Sequence, residues 1–201
     1  MKNKVYAMIG VIGSGKDFNA KAKAEELNCN IFDFSDGVRD FTWGFLGYKP
    51  ANENDYVEFK RSVNNLVFNC NKTDEVIRIT GREFLEHVGY TMRQYDTNFW
   101  VNYCVRNAEK YADSTENNVV FNAVRYVNEA AGVRQLAAVQ GYELHFIFCN
   151  YRSERYEIRN DDSELFAQKI LMQGFPHGAD ITDFVIEMIR EDFRENNVAK
   201  K

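Results

Sequence analysis

Gly10-Val-Ile-Gly-Ser-Gly-Lys-Asp-Phe18 is the stretch of sequence that decides the fold. It follows the apolar run 5–9 and precedes residues 19–27, which have the composition of a helix. The spacing fits G-x-x-x-x-G-K, with Asp17 in place of the usual Ser or Thr. Glycines let consecutive backbone N–H groups converge on a phosphate, and the following helix presents its positive N-terminus. The stretch therefore predicts a nucleotide-binding loop in which Lys16 reaches the outer phosphates, and in which Lys16 faces solvent when the loop is empty.

The composition of the chain indicates how many domains it forms and which classes of partner it does not bind. The chain has 201 residues, of which 45% are hydrophobic, enough for one substantial core, so we predict a single domain over 1–201. Its net charge of -5 argues against direct nucleic-acid binding and against an anionic membrane surface. The sequence contains no apolar run of transmembrane length and no signal-peptide core after its first residues, so we expect a cytoplasmic protein.

The pattern along the chain predicts an α/β fold. Four short runs rich in β-branched and aromatic residues read as strands, at 5–9, 30–34, 118–124 and 144–149. Helical spacing separates them, which is typical of a parallel sheet covered on both faces. The segment 35–117 reads as mostly helical, with Thr80-Gly-Arg-Glu83 as a capping box. Helices are predicted at 19–27, 36–46, 55–70, 80–88, 98–111, 128–140, 163–173 and 182–194.

Several dispersed motifs resemble one family, the deoxynucleoside monophosphate kinases of bacteriophages, within the P-loop nucleoside monophosphate kinases. Ser14-Gly-Lys-Asp17 is similar to the S-G-K-D of that family, so the unusual aspartate becomes support for it. Phe34-Ser-Asp-Gly-Val-Arg-Asp40 and Thr80-Gly-Arg-Glu-Phe-Leu-Glu86 resemble the starts of two of its helices, followed by Arg93 and then Trp100. Val119-Val-Phe-Asn-Ala-Val-Arg125 resembles a family strand that ends in D-V-R. These matches occur in the family's order over most of the chain.

The resemblance implies a fold and an activity. The fold is a three-layer P-loop NTPase with a mostly parallel central sheet, a helical monophosphate-binding insertion at 35–117 and a short lid at 150–162. The activity is the ATP-dependent phosphorylation of deoxynucleoside monophosphates to diphosphates, with ATP as phosphoryl donor and Mg²⁺ as cofactor. A homodimer is suggested by the resemblance alone, as is the host cytoplasm as location if the protein is viral.

Site residues follow from the loop, the chemistry and the resemblance together. Phosphoryl transfer to a monophosphate needs no catalytic base, because the acceptor is mostly a dianion at neutral pH, but it needs arginines to hold two anions together. Lys16, Arg93 and Arg125 are the predicted catalytic residues, and Asp17 is the predicted metal ligand. The loop residues predicted to bind ATP are Gly10, Gly13, Ser14, Gly15, Lys16, Asp17 and Phe18. The residues predicted to bind the monophosphate are Arg39, Arg82, Arg93, Arg125 and Trp100, and those of the lid are Arg152, Arg155 and Arg159.

Two departures from the family leave alternatives open. Ala123 stands where the family has an aspartate near magnesium, so metal positioning would depend more on Asp17, on water or on Asp33. Val127 replaces a family proline. The alternatives are a P-loop kinase for another small acceptor, such as dephospho-coenzyme A or a polyol, and a catalytically silent nucleotide-binding protein.

Overall fold

The structure, a computed structural model, describes residues 2–62, 66–69, 76–152 and 165–198. Ser35–Trp100 forms one compact unit, and the described residues before and after it form another. The described elements are β1 (Lys4–Ile9), α1 (Lys16–Leu27), β2 (Ile31–Asp33), α2 (Asp36–Leu46), α3 (Glu53–Arg61), β3 (Leu66–Asn69), β4 (Val76–Ile79), α4 (Gly81–Tyr95), α5 (Phe99–Thr115), β5 (Val119–Val124), α6 (Val127–Gln140), β6 (Glu143–Phe148), α7 (Leu165–Leu171) and α8 (Thr182–Val198).

A four-stranded parallel sheet forms the centre of the larger unit, in the order β2-β5-β1-β6. Val5 of β1 is in register with Val119 of β5 on one side and Leu144 of β6 on the other. Every residue of β5 is buried, as expected for an inner strand whose two faces are both covered. The four strands predicted from the sequence are confirmed.

Side chains of β1 alternate between the two faces of this sheet. Met8 packs on one face with Ala20 and Ala24 of α1. Val5 and Ala7 face the other way, into the larger core shared with apolar residues of α5, α6, α7 and α8. The result is a helix–sheet–helix arrangement in which the glycine-rich loop joins β1 to α1. This is a P-loop NTPase fold, as predicted.

The unit Ser35–Trp100 has its own core and two strands, β3 and β4, that the pattern did not predict. Its core consists of Val38, Trp43, Phe59, Phe84, Val88 and Trp100. The predicted helix 55–70 is wrong, because α3 ends at Arg61 and β3 pairs with β4 as an antiparallel hairpin. The predicted capping box is present: the Glu83 backbone N–H donates to Thr80 Oγ1 (3.1 Å), and the Thr80 backbone N–H donates to Glu83 Oε2 (2.7 Å).

Candidate active site

The start of the loop requires glycine at position 10. A Cβ atom there would lie 2.3 Å from the carbonyl oxygen of Cys149 and 2.4 Å from Ser14 Oγ. These distances are shorter than any real contact of a Cβ atom, so a side chain would push the loop away from the residue that follows β6. Ser14 is fully buried, and its Oγ has no hydrogen-bond partner among the described residues.

The last residues of the loop, before α1, have a backbone conformation that suits the binding of an anion. Gly13 and Gly15 have φ values of 72° and 84°, which lie in the left-handed region that L side chains rarely adopt. Gly15 is also the N-cap of α1 and offers no side-chain cap. The N-terminus of a helix carries positive partial charge on its first backbone N–H groups, so this end of α1 can bind a phosphate. Phe18, one turn on, is 77% exposed.

Lys16 lies inside the loop rather than in solvent. It is 7% exposed, and its Nζ donates to the carbonyl oxygens of Gly10 (2.8 Å) and Val11 (2.7 Å). We expected a lysine of an empty loop to face solvent, and this expectation is wrong. The ammonium group contributes to the shape of the loop, because its hydrogen bonds hold two loop carbonyls together.

Cys149, whose carbonyl oxygen approaches Gly10 of the loop, has an unreactive thiol. Burial raises the pKa of Cys149 to about 12, although the charge of Lys16 acts in the opposite direction. Cys149 therefore stays protonated at neutral pH and is not a nucleophile.

Asp17, Asp33 and Asn122 meet at the carboxyl end of the sheet. Asn122 Nδ2 donates to Asp17 Oδ1 (2.7 Å) and to Asp33 Oδ2 (3.1 Å). The sequence predicted Asp17 and named Asp33, but it missed Asn122. The sequence does contain an indication of Asn122. In the run Val119-Val-Phe-Asn122, a polar residue follows three apolar residues of a predicted strand.

Oxygen donors at this cluster suit Mg²⁺. Carboxylate and amide oxygens are the hard ligands that this ion prefers, and it usually takes one or two carboxylates together with phosphate oxygens. Asn122 Oδ1 is buried and has no hydrogen-bond partner within the described chain. No group of three or more His, Cys, Asp or Glu side chains that could hold a metal occurs in the described ranges. Asp17, Asp33 and Asn122 bring oxygen atoms of this kind together and could supply ligands to such an ion.

Arg125 follows β5 at the same edge of the sheet. Its backbone N–H donates to Glu129 Oε2 (2.7 Å), and the N–H of Tyr126 donates to the same oxygen (3.2 Å). Glu129 is 3% exposed, whereas the Arg125 residue is exposed. The buried carboxylate therefore fixes the backbone at the start of α6, next to an exposed Arg125.

The other predicted arginines lie in the unit Ser35–Trp100. Arg39 forms an ion pair with Asp36 and donates from Nη1 to Ser35 Oγ (2.6 Å), so its guanidinium is engaged within its own helix turn. Arg82 lies 3.9 Å from Glu86 on the exposed face of α4. Arg93 is half-buried in the last turn of α4.

Trp100, which the sequence predicts to bind the monophosphate, lies in the core of the unit Ser35–Trp100. It is 2% exposed, and its Nε1 donates to the carbonyl oxygen of Gly89 (3.0 Å). Trp43 is 8% exposed in the same core. Phe41 and Tyr90 are exposed aromatic residues of this unit.

The predicted lid lies mostly outside the described residues. Arg152 is described and exposed, in the segment after β6. Arg155 and Arg159 lie outside the described residues. In the described part of the chain, the helices also lack the combination of length and apolar character needed to span a membrane.

Comparison with known proteins identifies no family from sequence. No family model matches the chain, and no curated protein matches it. Among solved structures, a cysteine-to-alanine mutant of the APS kinase CysC from Mycobacterium tuberculosis shares 16% identity, with a TM-score of 0.33; the match covers 85% of this chain and 96% of that chain. The same kinase in complex with AMPPNP and APS shares 14% identity over the same coverage, with a TM-score of 0.31. The fold assignment rests on the strand order and the loop, not on these scores.

Proposed function

We propose that this protein transfers the terminal phosphoryl group of ATP to a deoxynucleoside monophosphate. The observation that carries this proposal is the phosphate loop, in which a buried lysine and an uncapped helix N-terminus converge between β1 and α1. A phosphate in this loop is a charged acceptor for Lys16 Nζ, which now donates to neutral carbonyls. A phosphate carries full negative charge whereas a carbonyl is only a dipole, so Coulomb attraction lets a phosphate compete well for the ammonium group.

The acceptor class follows from charge and from the family resemblance. Two anionic substrates must approach each other, and arginines are the side chains that grip phosphates with two parallel hydrogen bonds. Arg125 at the sheet edge is exposed and has its backbone fixed by Glu129. Arg82 and Arg93 of α4 take positions that the resemblance assigns to monophosphate binding. When bound, Mg²⁺ supplies charge neutralisation across the outer phosphates.

A hydroxyl acceptor is the second candidate, and one observation favours it. Such an acceptor needs a general base. The structure places Asp33 at the carboxyl end of β2, bonded to Asn122, in the part of the sheet where P-loop proteins bind their substrates. A polyol kinase or a dephospho-coenzyme A kinase would use an aspartate at such a position.

A panel assay separates these functions. The purified protein is incubated with ATP and Mg²⁺ and with each acceptor in turn: the deoxynucleoside monophosphates of the four bases, their ribose counterparts, dephospho-coenzyme A and a polyol. The measurement is acceptor-dependent formation of ADP. We expect ADP with one or more deoxynucleoside monophosphates, and a rate that falls below about pH 6 as the acceptor becomes a monoanion. ADP with a hydroxyl acceptor alone would favour the second candidate, and nucleotide binding without any ADP would favour a catalytically silent protein.

A further inference from the structure

Asn122 connects two carboxylates that come from different elements. Its Nδ2 donates to Asp17 in the first turn of α1 and to Asp33 at the end of β2. Asn122 is 9% exposed, whereas Asp33 is half-buried and Asp17 is exposed, so solvent reaches the cluster from the side of Asp17. One amide group therefore sets the spacing between a carboxylate of the phosphate-loop helix and a carboxylate of the neighbouring strand.

The oxygen atom of the same amide lacks a hydrogen-bond partner in the described part of the chain. Asn122 Oδ1 is buried and accepts no hydrogen bond from the residues that the structure describes. Buried polar atoms in native proteins almost always have a partner, and exceptions call for an explanation such as an ion or a water. An amide oxygen beside two carboxylates is a suitable donor for a divalent cation or for a water bound to one.

A β-bulge places Asn122 at this position. The register between β1 and β5 passes from Ala7↔Phe121 to Ile9↔Val124, so β5 contains one extra residue over this step. Ala123, next to Asn122, has a φ of 56°, in the left-handed region. Bulges redirect side chains and are frequent beside active sites. The polar residue of this strand end is therefore residue 122, not residue 123, where the family resemblance expected an acidic group.

We propose that Asn122 is a positioning residue for a divalent cation. Its NH₂ group holds the carboxylates of Asp17 and Asp33 in place, and its carbonyl oxygen adds a third oxygen donor toward the cation or its bound water. The left-handed backbone at Ala123 directs the amide into the cluster. The inference deepens the proposed function and rests on it, because phosphoryl transfer from ATP gives the reason for a cation at this edge of the sheet.

Binding of Mn²⁺ alone tests the proposal without any turnover. Free Mn²⁺ is measured by electron paramagnetic resonance in titrations of the nucleotide-free protein. We expect Asn122→Leu to weaken Mn²⁺ binding by roughly 10- to 100-fold, the usual cost of losing a residue that orients metal ligands. Asn118→Leu is the matched control, because Asn118 precedes the same strand at its opposite end, where its Oδ1 accepts from the Lys4 backbone N–H (2.8 Å). It should leave the Mn²⁺ affinity unchanged.

Three results would overturn the proposal. The first is that the wild-type protein binds no Mn²⁺. The second is that a folded Asn122→Leu variant binds Mn²⁺ as tightly as the wild type. The third is that Asn118→Leu loses as much Mn²⁺ affinity as Asn122→Leu does. Mn²⁺ binding that depends on Asn122 in a protein without phosphoryl transfer would support the cation site and contradict the proposed function. The two proposals can therefore fail separately.

A second variant covers the case in which Asn122→Leu does not fold. Asn122→Asp keeps the shape of the side chain, removes both N–H donors and places a third carboxylate beside Asp17 and Asp33. We expect a melting temperature below that of the wild type in EDTA, and a larger rise on adding Mg²⁺ than the wild type shows. If Mg²⁺ raised the melting temperatures of the wild type and of Asn122→Asp equally, no cation would enter the cluster.

Substitutions at Ala123 test whether the β-bulge is needed for cation binding. Ala123→Val puts a β-branched side chain on a left-handed backbone, which such residues avoid, while removing no oxygen donor. We expect it to weaken Mn²⁺ binding, and we expect Ala123→Gly to retain it, because glycine adopts this φ without strain. Mn²⁺ binding by Ala123→Val as tight as that of the wild type would contradict the role of the bulge.

Discussion

Among single residues, Lys16 combines a structural and a chemical role. Its Nζ bonds to Gly10 and Val11 inside the loop, and the same ammonium group is the one expected to move to a phosphate. A buried ammonium group must have such partners, because an unpaired charge is costly away from water. The conformation of the loop and its charge therefore depend on one side chain.

Lys16→Ala should lower kcat by about 10²-fold or more, the usual cost of losing one group that stabilises transferred charge. It should also lower the free energy of unfolding, because two buried carbonyls lose a donor. Steady-state kinetics with the best acceptor and urea denaturation measure the two effects. Lys21→Ala is the control, since Lys21 is exposed on the same helix. A variant that keeps more than about a tenth of wild-type kcat would contradict the role of Lys16.

Arg125 is the arginine whose surroundings best fit a role in catalysis. Substitution by lysine keeps the charge but loses the planar fork that grips a phosphate. A hydrogen bond to a charged group contributes about 1.5–3 kcal/mol, so we expect kcat/KM to fall by roughly 10- to 100-fold in Arg125→Lys. Arg190→Lys serves as the control, because Arg190 pairs with Glu187 on the surface of α8. Equal kinetics in the two variants would assign Arg125 to a structural role.

At the scale of elements, the N-terminus of α6 supports the site. Glu129 belongs to the first turn of α6, and its carboxylate accepts from two backbone N–H groups at the end of β5. It therefore caps the helix and sets the backbone from which the Arg125 side chain extends.

Glu129→Ala should destabilise the protein by about 1–3 kcal/mol, because two part-buried backbone N–H groups lose their acceptor. It should also lower kcat/KM, since Arg125 loses its fixed backbone. Urea denaturation and steady-state kinetics measure the two effects, with Glu191→Ala on the exposed face of α8 as the control. The control should change stability by less than about 0.5 kcal/mol. Equal stability of the two variants would show that Glu129 does not support this turn.

At the scale of the whole molecule, one ionisable group links the edge of the sheet to the start of α8. Burial raises the pKa of Asp180, but hydrogen bonds from Thr182 and His145 more than offset this, and the net pKa is lowered. Asp180 Oδ2 lies 2.7 Å from His145 Nδ1, and Glu143 Oε1 lies 3.2 Å from His145 Nε2. The ionised form of Asp180 therefore favours the folded state.

The sign of the pH effect follows from this lowered pKa. The contribution of Asp180 to stability is fully present above its unfolded pKa of about 3.9, and it is lost as the pH falls through the lower folded pKa. Asp180→Asn should therefore be less stable than the wild type at pH 7, and the difference should shrink as the pH falls below about 4. Thermal melts from pH 7 to pH 3 measure it. A difference that stays constant with pH would show that the carboxylate charge does not contribute.

Local sequence determined the parts of this protein that are built from near neighbours. Strand β1, the glycine spacing of the loop and helix α1 lie within 24 consecutive residues, from Lys4 to Leu27, so their patterns predict them together. The capping box at Thr80 is equally local, because its bonds join residues three positions apart. The inner strands β1 and β5 could be predicted because strands buried on both faces are mostly apolar.

Only the tertiary structure decided how distant residues meet. The hairpin β3–β4 has strands of four residues, too short for a periodic signal, and its first strand reads as the end of a helix. The role of Asn122 depends on the register between β5 and β1, since a single extra residue changes which side chain points into the site. Trp100 is buried by packing that its spacing cannot specify. The loop was therefore predictable from sequence, whereas the residues that complete its site depend on strand pairing and on the packing of cores.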